Sequence, residues 1–275
     1  MKRIDLHLHT TASDGASTPR EVVDSARALG LAAISITDHD SVEALPAAFA
    51  RSREVGLEMI PGIELSVEVD GSEVHLLGYL FDHRDPGLLQ RLEDLRQSRR
   101  QRAELMLERL RSLGVDLDMP TIFPDGLPDS VGRLHIARAL FQHGFVGSTQ
   151  EAFARYIGNH GPAYVPKLTF SLEDALGTIR RLGGIPVLAH PGQLNRDELI
   201  PRMVELGLGG LETYYTTHTQ FQVNHYTELA RYYGLAITGG SDCHGTNKGR
   251  VVLGTVPVPY SVLENLYRLK GGAAK

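Results

Sequence analysis

The chain has no tryptophan and a single cysteine, Cys243, among its 275 residues. One cysteine excludes an internal disulfide and suits a reducing compartment, so a cytoplasmic location is expected. No apolar run reaches membrane-spanning length, and the opening segment MKRIDLHLHT lacks the apolar stretch of a signal peptide, so no membrane association is expected. Positive charge is also short: 28 Lys and Arg against 33 Asp and Glu give a formal net charge of -5. That balance argues against an extended surface for duplex DNA and leaves room only for a local basic pocket. The remaining composition, 42% hydrophobic and 22% charged, is that of an ordinary globular protein, long enough for one large domain or one domain with an insertion.

Strand and helix signals alternate through the first part. Arg3–Leu8 reads as a strand, and a helix follows from Pro19 to about Leu29, with Thr18 as N-cap and Glu21 completing a capping box. Ala32–Thr37 reads as a strand, Ser41–Val55 as a helix, Glu58–Ile63 and Val74–Tyr79 as further strands. The pattern then breaks. Leu88–Leu113 is a long arginine-rich amphipathic helix, Val131–His143 and Thr149–Tyr156 read as helices, and residues 84–165 are expected to form a helical insertion. Alternation resumes with helix Leu172–Leu182, strand Ile185–Ala189, helix Asp197–Leu206, strand Gly210–Thr213, helix Gln220–Tyr233 and strand Ala236–Thr238. Such alternation predicts a parallel sheet covered by helices, open or closed into a barrel. Only the tail at Gly271–Lys275 reads as disordered.

The twelve histidines are not scattered. His7 and His9 end the first strand, with Asp14 just beyond; Asp38 and His39 end the second; Glu64 follows the third and His75 lies on the fourth. His190, Glu212, and Asp242 with His244 end the next three. Strand ends on one rim of an α/β barrel are where catalytic side chains converge. Residues two apart in a strand share a face, so His7 and His9 can grip one ion. A lone strand-end histidine is more often a cap or a core residue than a ligand. A set of this size, in which every buried imidazole would need a partner, is better explained by metal. Imidazole with carboxylate suits zinc, manganese or iron, and a carboxylate such as Glu64 can bridge two cations. Glu212 can instead orient a ligand histidine, and His83, His143, His160, His218 and His225 read as structural or supporting.

As a set, "DLHLHTTASDG", "ITDHD", "PGIELS", "VHLLGY", "LAHPG" and "GSDCH" resemble the polymerase-and-histidinol-phosphatase (PHP) superfamily, covering the chain outside the insertion. The resemblance implies a distorted (β/α)7 barrel and phosphoester hydrolysis by a hydroxide shared between two or three divalent cations. One cation would take His7, His9, Glu64 and Asp242; a second Glu64, His75 and His190; a third Asp14, His39 and His244. Glu64, Asp242 and His190 are the residues it implies for catalysis. Many relatives carry histidine where this chain has Asp14, which favours a harder ion such as Mn2+ there, with Zn2+ or Fe2+ as the other choices. The insertion motifs "VGRLHIARALFQHG" and "GPAYVPK" are similar to a bacterial PHP subgroup acting on nucleotides. That subgroup includes nucleoside 3',5'-bisphosphate phosphatases and enzymes that trim short RNA from the 5' end.

The insertion's long helix carries an apolar stripe at Leu88, Leu92, Leu95, Met106, Leu110 and Leu113, whose missing steps fall on Arg99 and on Arg102–Ala103. An inward arginine needs a partner, a protein carboxylate or a ligand phosphate, although snorkelling would serve equally. Arg96, Arg100, Arg109 and Arg111 read as a solvated face. Arg133 and His135 open the next helix and Lys167 closes the insertion. Arg99, Arg133, His135 and Lys167 are therefore the candidate substrate residues, on an insertion expected to cover the rim. The small nucleotide expected is a 3',5'-bisphosphate, cleaved at its 3'-phosphate to the nucleoside 5'-phosphate. A 5'-3' exoribonuclease on short RNA and a histidinol phosphate phosphatase are the alternatives in the same chemistry. A non-catalytic metal-binding module is the alternative outside it. The sequence carries no signal for an oligomeric state.

Overall fold

Strand β1 (Arg3–Leu8) is buried on both faces, with Ile4, Leu6 and Leu8 fully enclosed and Asp5 and His7 enclosed beside them. A strand covered on both sides reads as a near-continuous apolar run, so its polar residues stand out. The computed structural model describes residues 2–123 and 131–272, so Ala273–Lys275 of the tail lie outside the described residues. Helix α1 (Pro19–Ala28) starts as its capping box dictates: Glu21 N–H donates to Thr18 Oγ1 at 3.3 Å and Thr18 N–H donates to Glu21 Oε2 at 2.7 Å.

After β2 (Ala33–Ile36) comes α2 (Leu45–Val55), four residues shorter at its start than the sequence suggests. Asp40 lies at φ 48°, Ser41 Oγ accepts from Glu43 N–H in a local turn, and Pro46, which lacks an N–H, falls in the first helical turn. Strands β3 (Glu58–Val69) and β4 (Ser72–Tyr79) are longer than expected and form an antiparallel hairpin. Its turn is Asp70-Gly71, both at positive φ, as two-residue hairpin loops require.

The chain divides into two compact units, Met1–Leu89 with Thr169–Lys275, and Gln90–Leu168. The second unit holds most of α3 (Pro86–Ser112), then α4 (Met119–Ile122), α5 (Arg133–Gln142) and α6 (Thr149–Ala152), which runs into a π-helical turn at Phe153–Ile157. Its core joins Ala103, Met106, Leu107 and Leu110 of α3 to Ile136 and Leu140 of α5. Leu113, expected on the buried stripe, is exposed because the helix stops at Ser112.

In the first unit the chain resumes with α7 (Leu172–Arg181), β5 (Ile185–Leu188), α8 (Pro191–Leu194), a 3-10 turn at Asp197–Leu199 and α9 (Ile200–Glu205). Then follow β6 (Gly210–Tyr215), α10 (Gln220–Tyr232), β7 (Ala236–Gly240), β8 (Val258–Pro259) and α11 (Ser261–Gly272). The sheet order is β7-β6-β5-β4-β3-β2-β1-β8. β8 is a short eighth strand that the sequence reading lacks, antiparallel to β1, and β4 runs antiparallel to both β3 and β5. Past β7 the backbone turns onto β1, with Asp242 N–H donating to His7 O at 2.9 Å and His9 N–H to Cys243 O at 3.0 Å, so the sheet nearly closes into a barrel. Gly240 permits that approach, because a Cβ there would lie 2.4 Å from His7 N. Among the described residues no helix is long and apolar enough to cross a membrane.

Candidate metal centre

The polar strand ends meet at one end of this barrel. β1, β2, β5 and β7 deliver His7 and His9, His39, His190 and Asp242 at or just past their C-terminal ends, whereas Glu212 lies in the middle of β6, which runs on two residues past the expected Thr213. β3 outruns β2, so Glu64 lies beyond the end of β2 and its backbone bridges to His39, with Asp40 N–H donating to Glu64 O at 2.8 Å. β4 is antiparallel, so its early residue His75 reaches the same end; Glu64 faces Leu77 and Ser66 faces His75, which makes Glu64 and His75 diagonal neighbours on one face.

Glu64 is the hub. Its Oε2 lies 3.2 Å from His7 Nε2, 3.1 Å from His9 Nε2 and 3.2 Å from His39 Nδ1. Its Oε1 lies 3.0 Å from His75 Nδ1 and 3.2 Å from His190 Nε2. Asp242 Oδ1 is 3.0 Å from His9 Nε2 and 3.3 Å from His244 Nδ1, and Asp14 Oδ1 is 3.1 Å from His244 Nε2. Every residue expected to bind metal is therefore in one cluster.

Neighbouring carboxylates hold this cluster from outside. Glu212 accepts from His7 Nδ1 at 2.9 Å and from the backbone N–H of His190 at 2.8 Å, which orients the His7 imidazole and ties down the backbone of His190. Asp38 accepts from Thr10 N–H, Thr10 Oγ1 and Ser13 Oγ, fixing the loop after β1. Asp5 accepts from Ser241 N–H and Gly254 N–H. Tyr215, which sequence reasoning passed over, donates to Asp242 Oδ2 at 2.8 Å; an aromatic at the end of β6 is its only sequence signal.

Burial sets the electrostatics. It would raise the Glu64 carboxyl, but the histidines packed around it hold it well below the usual range. Asp14 is likewise held low against burial, by His244, His39 and His9. Burial works against protonated His9 and His75, yet their carboxylate partners lift both to about 9. His39 goes the other way, held well below its ordinary value by burial. Glu64 and Asp14 are thus ionised near neutral pH, as carboxylate ligands must be.

Hydrogen bonding inside the cluster is incomplete. His7 Nε2, His9 Nε2, His39 Nδ1, His244 Nε2 and Glu64 Oε2 are buried and make no hydrogen bond of adequate geometry. Buried polar atoms are rarely left so. Three groups have ligand atoms mutually within 4.8 Å: His7, His9, Glu64 and Asp242; His9, Asp14, His39 and His244; and His39, Glu64 and His75. Two donors about 2.0–2.2 Å from one cation lie at most about 4.4 Å apart, so each group could close on an ion with small side-chain shifts. The donor set, nitrogen with carboxylate oxygen, fits a borderline or moderately hard divalent cation.

The candidate substrate residues lie in the second unit. Arg133 donates to Asn159 Oδ1 at 2.7 Å, and its guanidinium sits 5.7 Å from the Phe153 ring centroid and 5.6 Å from that of Tyr164. His135 caps α5, accepting at Nδ1 from Gly132 N–H at 3.2 Å. Arg99 and Arg102 are both buried on α3, as the interrupted stripe requires, and Arg102 donates to Val165 O at 2.7 Å. A backbone carbonyl is thus one of the partners of Arg102. Lys167 is half-buried close to the unit's end.

Residues 5–115 match the PHP domain family. Over 256 residues the chain is 34% identical to a 3',5'-nucleoside bisphosphate phosphatase of Chromobacterium violaceum, covering 90% of each protein. Over 250 residues it is 33% identical to a 5'-3' exoribonuclease of Haemophilus influenzae, covering 88% of this chain and 90% of that one. A solved structure from Bifidobacterium adolescentis, described as a candidate metal-dependent phosphoesterase, superposes with a TM-score of 0.86 at 29% identity, covering 97% of this chain and 96% of that chain. With its motifs lying on the strands that build the centre, the chain belongs to the PHP family and is a hydrolase of phosphoester bonds.

Proposed function

We propose that the protein removes the 3'-phosphate from nucleoside 3',5'-bisphosphates at a centre of two or three divalent cations, releasing nucleoside 5'-phosphate and inorganic phosphate. The observation that carries the metal reading is the set of buried imidazole nitrogens around Glu64 that lack hydrogen bonds. His7, His9, Glu64 and Asp242 would hold one cation, Glu64, His75 and His190 a second, and Asp14, His39 and His244 a third. Asp14 adds a hard oxygen to the third set and favours Mn2+ there, with Zn2+ and Fe2+ as competitors. When bound, such cations supply an activated water and offset charge developing on phosphoryl oxygens. Glu64, through its two oxygens, would tie two cations together. Glu212 keeps His7 and His190 in register, and burial keeps bulk water from His7, His9 and Glu64.

The substrate choice is supported by the bisphosphate phosphatase relative and by the arginines and lysine of the second unit. In this proposal Arg99, Arg133, His135 and Lys167 hold the 5'-phosphate that is not cleaved, whose binding energy orients the reacting one. The similarity to a 5'-3' exoribonuclease supports the second reading, stepwise hydrolysis of short RNA by the same centre. A panel of nucleoside 3',5'-bisphosphates, nucleoside 3'-monophosphates, histidinol phosphate and 5'-phosphorylated short RNA, assayed with Mn2+, separates them. The highest kcat/KM on the bisphosphate is the expected result. Dominant release of nucleoside monophosphates from RNA, or preference for histidinol phosphate, would replace the substrate assignment.

A further inference from the structure

We infer that the segment leaving β6, Tyr215 to His218, is a positioning device for Asp242 and His190, with Tyr215 as its working residue. The inference rests on the metal-centre reading. Asp242 and His190 both adopt left-handed backbone conformations, at φ 52° and φ 30°. Residues other than glycine keep such conformations only where their surroundings enforce them. Beside the backbone bonds of Asp242 to His7 and of His190 to Glu212, contacts at both places come from this one segment. Tyr215 OH donates to Asp242 Oδ2 at 2.8 Å, and Thr216 Oγ1 donates to the carbonyl of Ser241 at 2.6 Å. His218 bonds Thr213 O through Nδ1 at 2.9 Å, so that nitrogen carries the proton and Nε2 accepts from Gly192 N–H at 3.2 Å, two residues past His190.

Tyr215 also chooses between the two oxygens of Asp242. By engaging Oδ2 it turns Oδ1 toward His9 Nε2, at 3.0 Å, and His7 Nε2, at 3.5 Å. The phenol is only 7% exposed, and its ring lies 5.3 Å from the His190 ring centroid and 5.2 Å from that of His218, so its direction is set by packing. A carboxylate held in this way presents one oxygen in a fixed direction, whereas an unheld one rotates between orientations.

Tyr215→Phe keeps the ring and removes only the hydroxyl. Wild type and variant are freed of metal, titrated with Mn2+ by calorimetry, analysed for metal content, and melted with and without Mn2+. Expected for Tyr215→Phe are an unchanged melting temperature without metal, about ten- to hundred-fold weaker binding of one Mn2+, and a lower kcat with little change in KM. In an Asp242→Asn background the same change should weaken Mn2+ binding no further, because the phenol acts through that carboxylate. Wild-type Mn2+ affinity in Tyr215→Phe, an equal loss of melting temperature with and without metal, or a full additional loss beside Asp242→Asn would each overturn the inference. Failure of the wild type to take up any divalent cation would instead overturn the metal-centre reading, and the inference with it.

Discussion

The barrel end of the first unit buries polar side chains, and in the second unit Arg102 is buried and Arg133 half-buried, but the two regions satisfy them differently. Around Glu64, imidazoles stand about a carboxylate at near hydrogen-bonding distance, yet several of their inward nitrogens make no acceptable hydrogen bond. The other ring nitrogen of His7 and of His244 does, Nδ1 to Glu212 and Nδ1 to Asp242 O. In the second unit Arg102 reaches a backbone carbonyl and Arg133 an asparagine, and both sit near aromatic rings. An imidazole fixed on one side and unsatisfied on the other is built for an incoming ligand. A guanidinium with a carbonyl and a ring has an architectural reason for its place, and any substrate role must be shown separately.

The comparison breaks most visibly at Glu64. Glu64→Ala or Asp242→Ala should lower kcat by about 10³-fold or more, since several kcal/mol of charge stabilisation depend on the ions they hold. Metal content should fall alongside phosphate release; normal content and rate in Glu64→Ala would remove the hub from the site. In the second unit, substituting Arg133 or Lys167 by alanine should reduce kcat/KM for the bisphosphate about ten- to hundred-fold, as loss of a charge-assisted contact worth about 1.5–3 kcal/mol implies. The 3'-monophosphate should be far less affected. Equal losses on both substrates, with a lowered melting temperature, would assign Arg133 to the Asn159 and ring contacts alone.

Glu212→Gln sharpens the contrast inside the first unit. It keeps the shape but weakens the acceptor for His7 and His190, so Mn2+ affinity should fall about tenfold, at the low end for partners of ligand histidines. An unchanged titration curve would make Glu212 a packing residue. The smallest effect is expected at Asp14, where histidine should shift which metal gives the highest activity by a few-fold while the fold is kept. Identical metal preference in Asp14→His would place Asp14 outside the ligand set despite its 3.1 Å approach to His244.

Much of the candidate centre was legible because its residues sit in short motifs at strand ends, where a side chain's destination follows from the strand. His7 and His9 share a face by the period of the strand, and the capping box at Thr18 and Glu21 fixes α1 by purely local hydrogen bonds. The buried arginines of α3 could be read from a helical stripe for the same reason. What local pattern could not decide were contacts between segments distant in the chain. The antiparallel course of β4, which brings His75 to the same end as Glu64, depends on a tight turn at Asp70-Gly71 and on pairing with β5 more than a hundred residues later. The two-residue β8 has too few residues to carry a period and exists only because β1 offers it an edge. Tyr215 meets Asp242 across β6 and β7, and Glu212 meets His7 across the closing barrel. The sequence by itself determined the residues that converge and the strands that carry them, since side-chain chemistry and backbone period are local. Only the tertiary structure decided which oxygen faces which imidazole, because hydrogen-bond direction is set by neighbours that the chain brings together only when it folds.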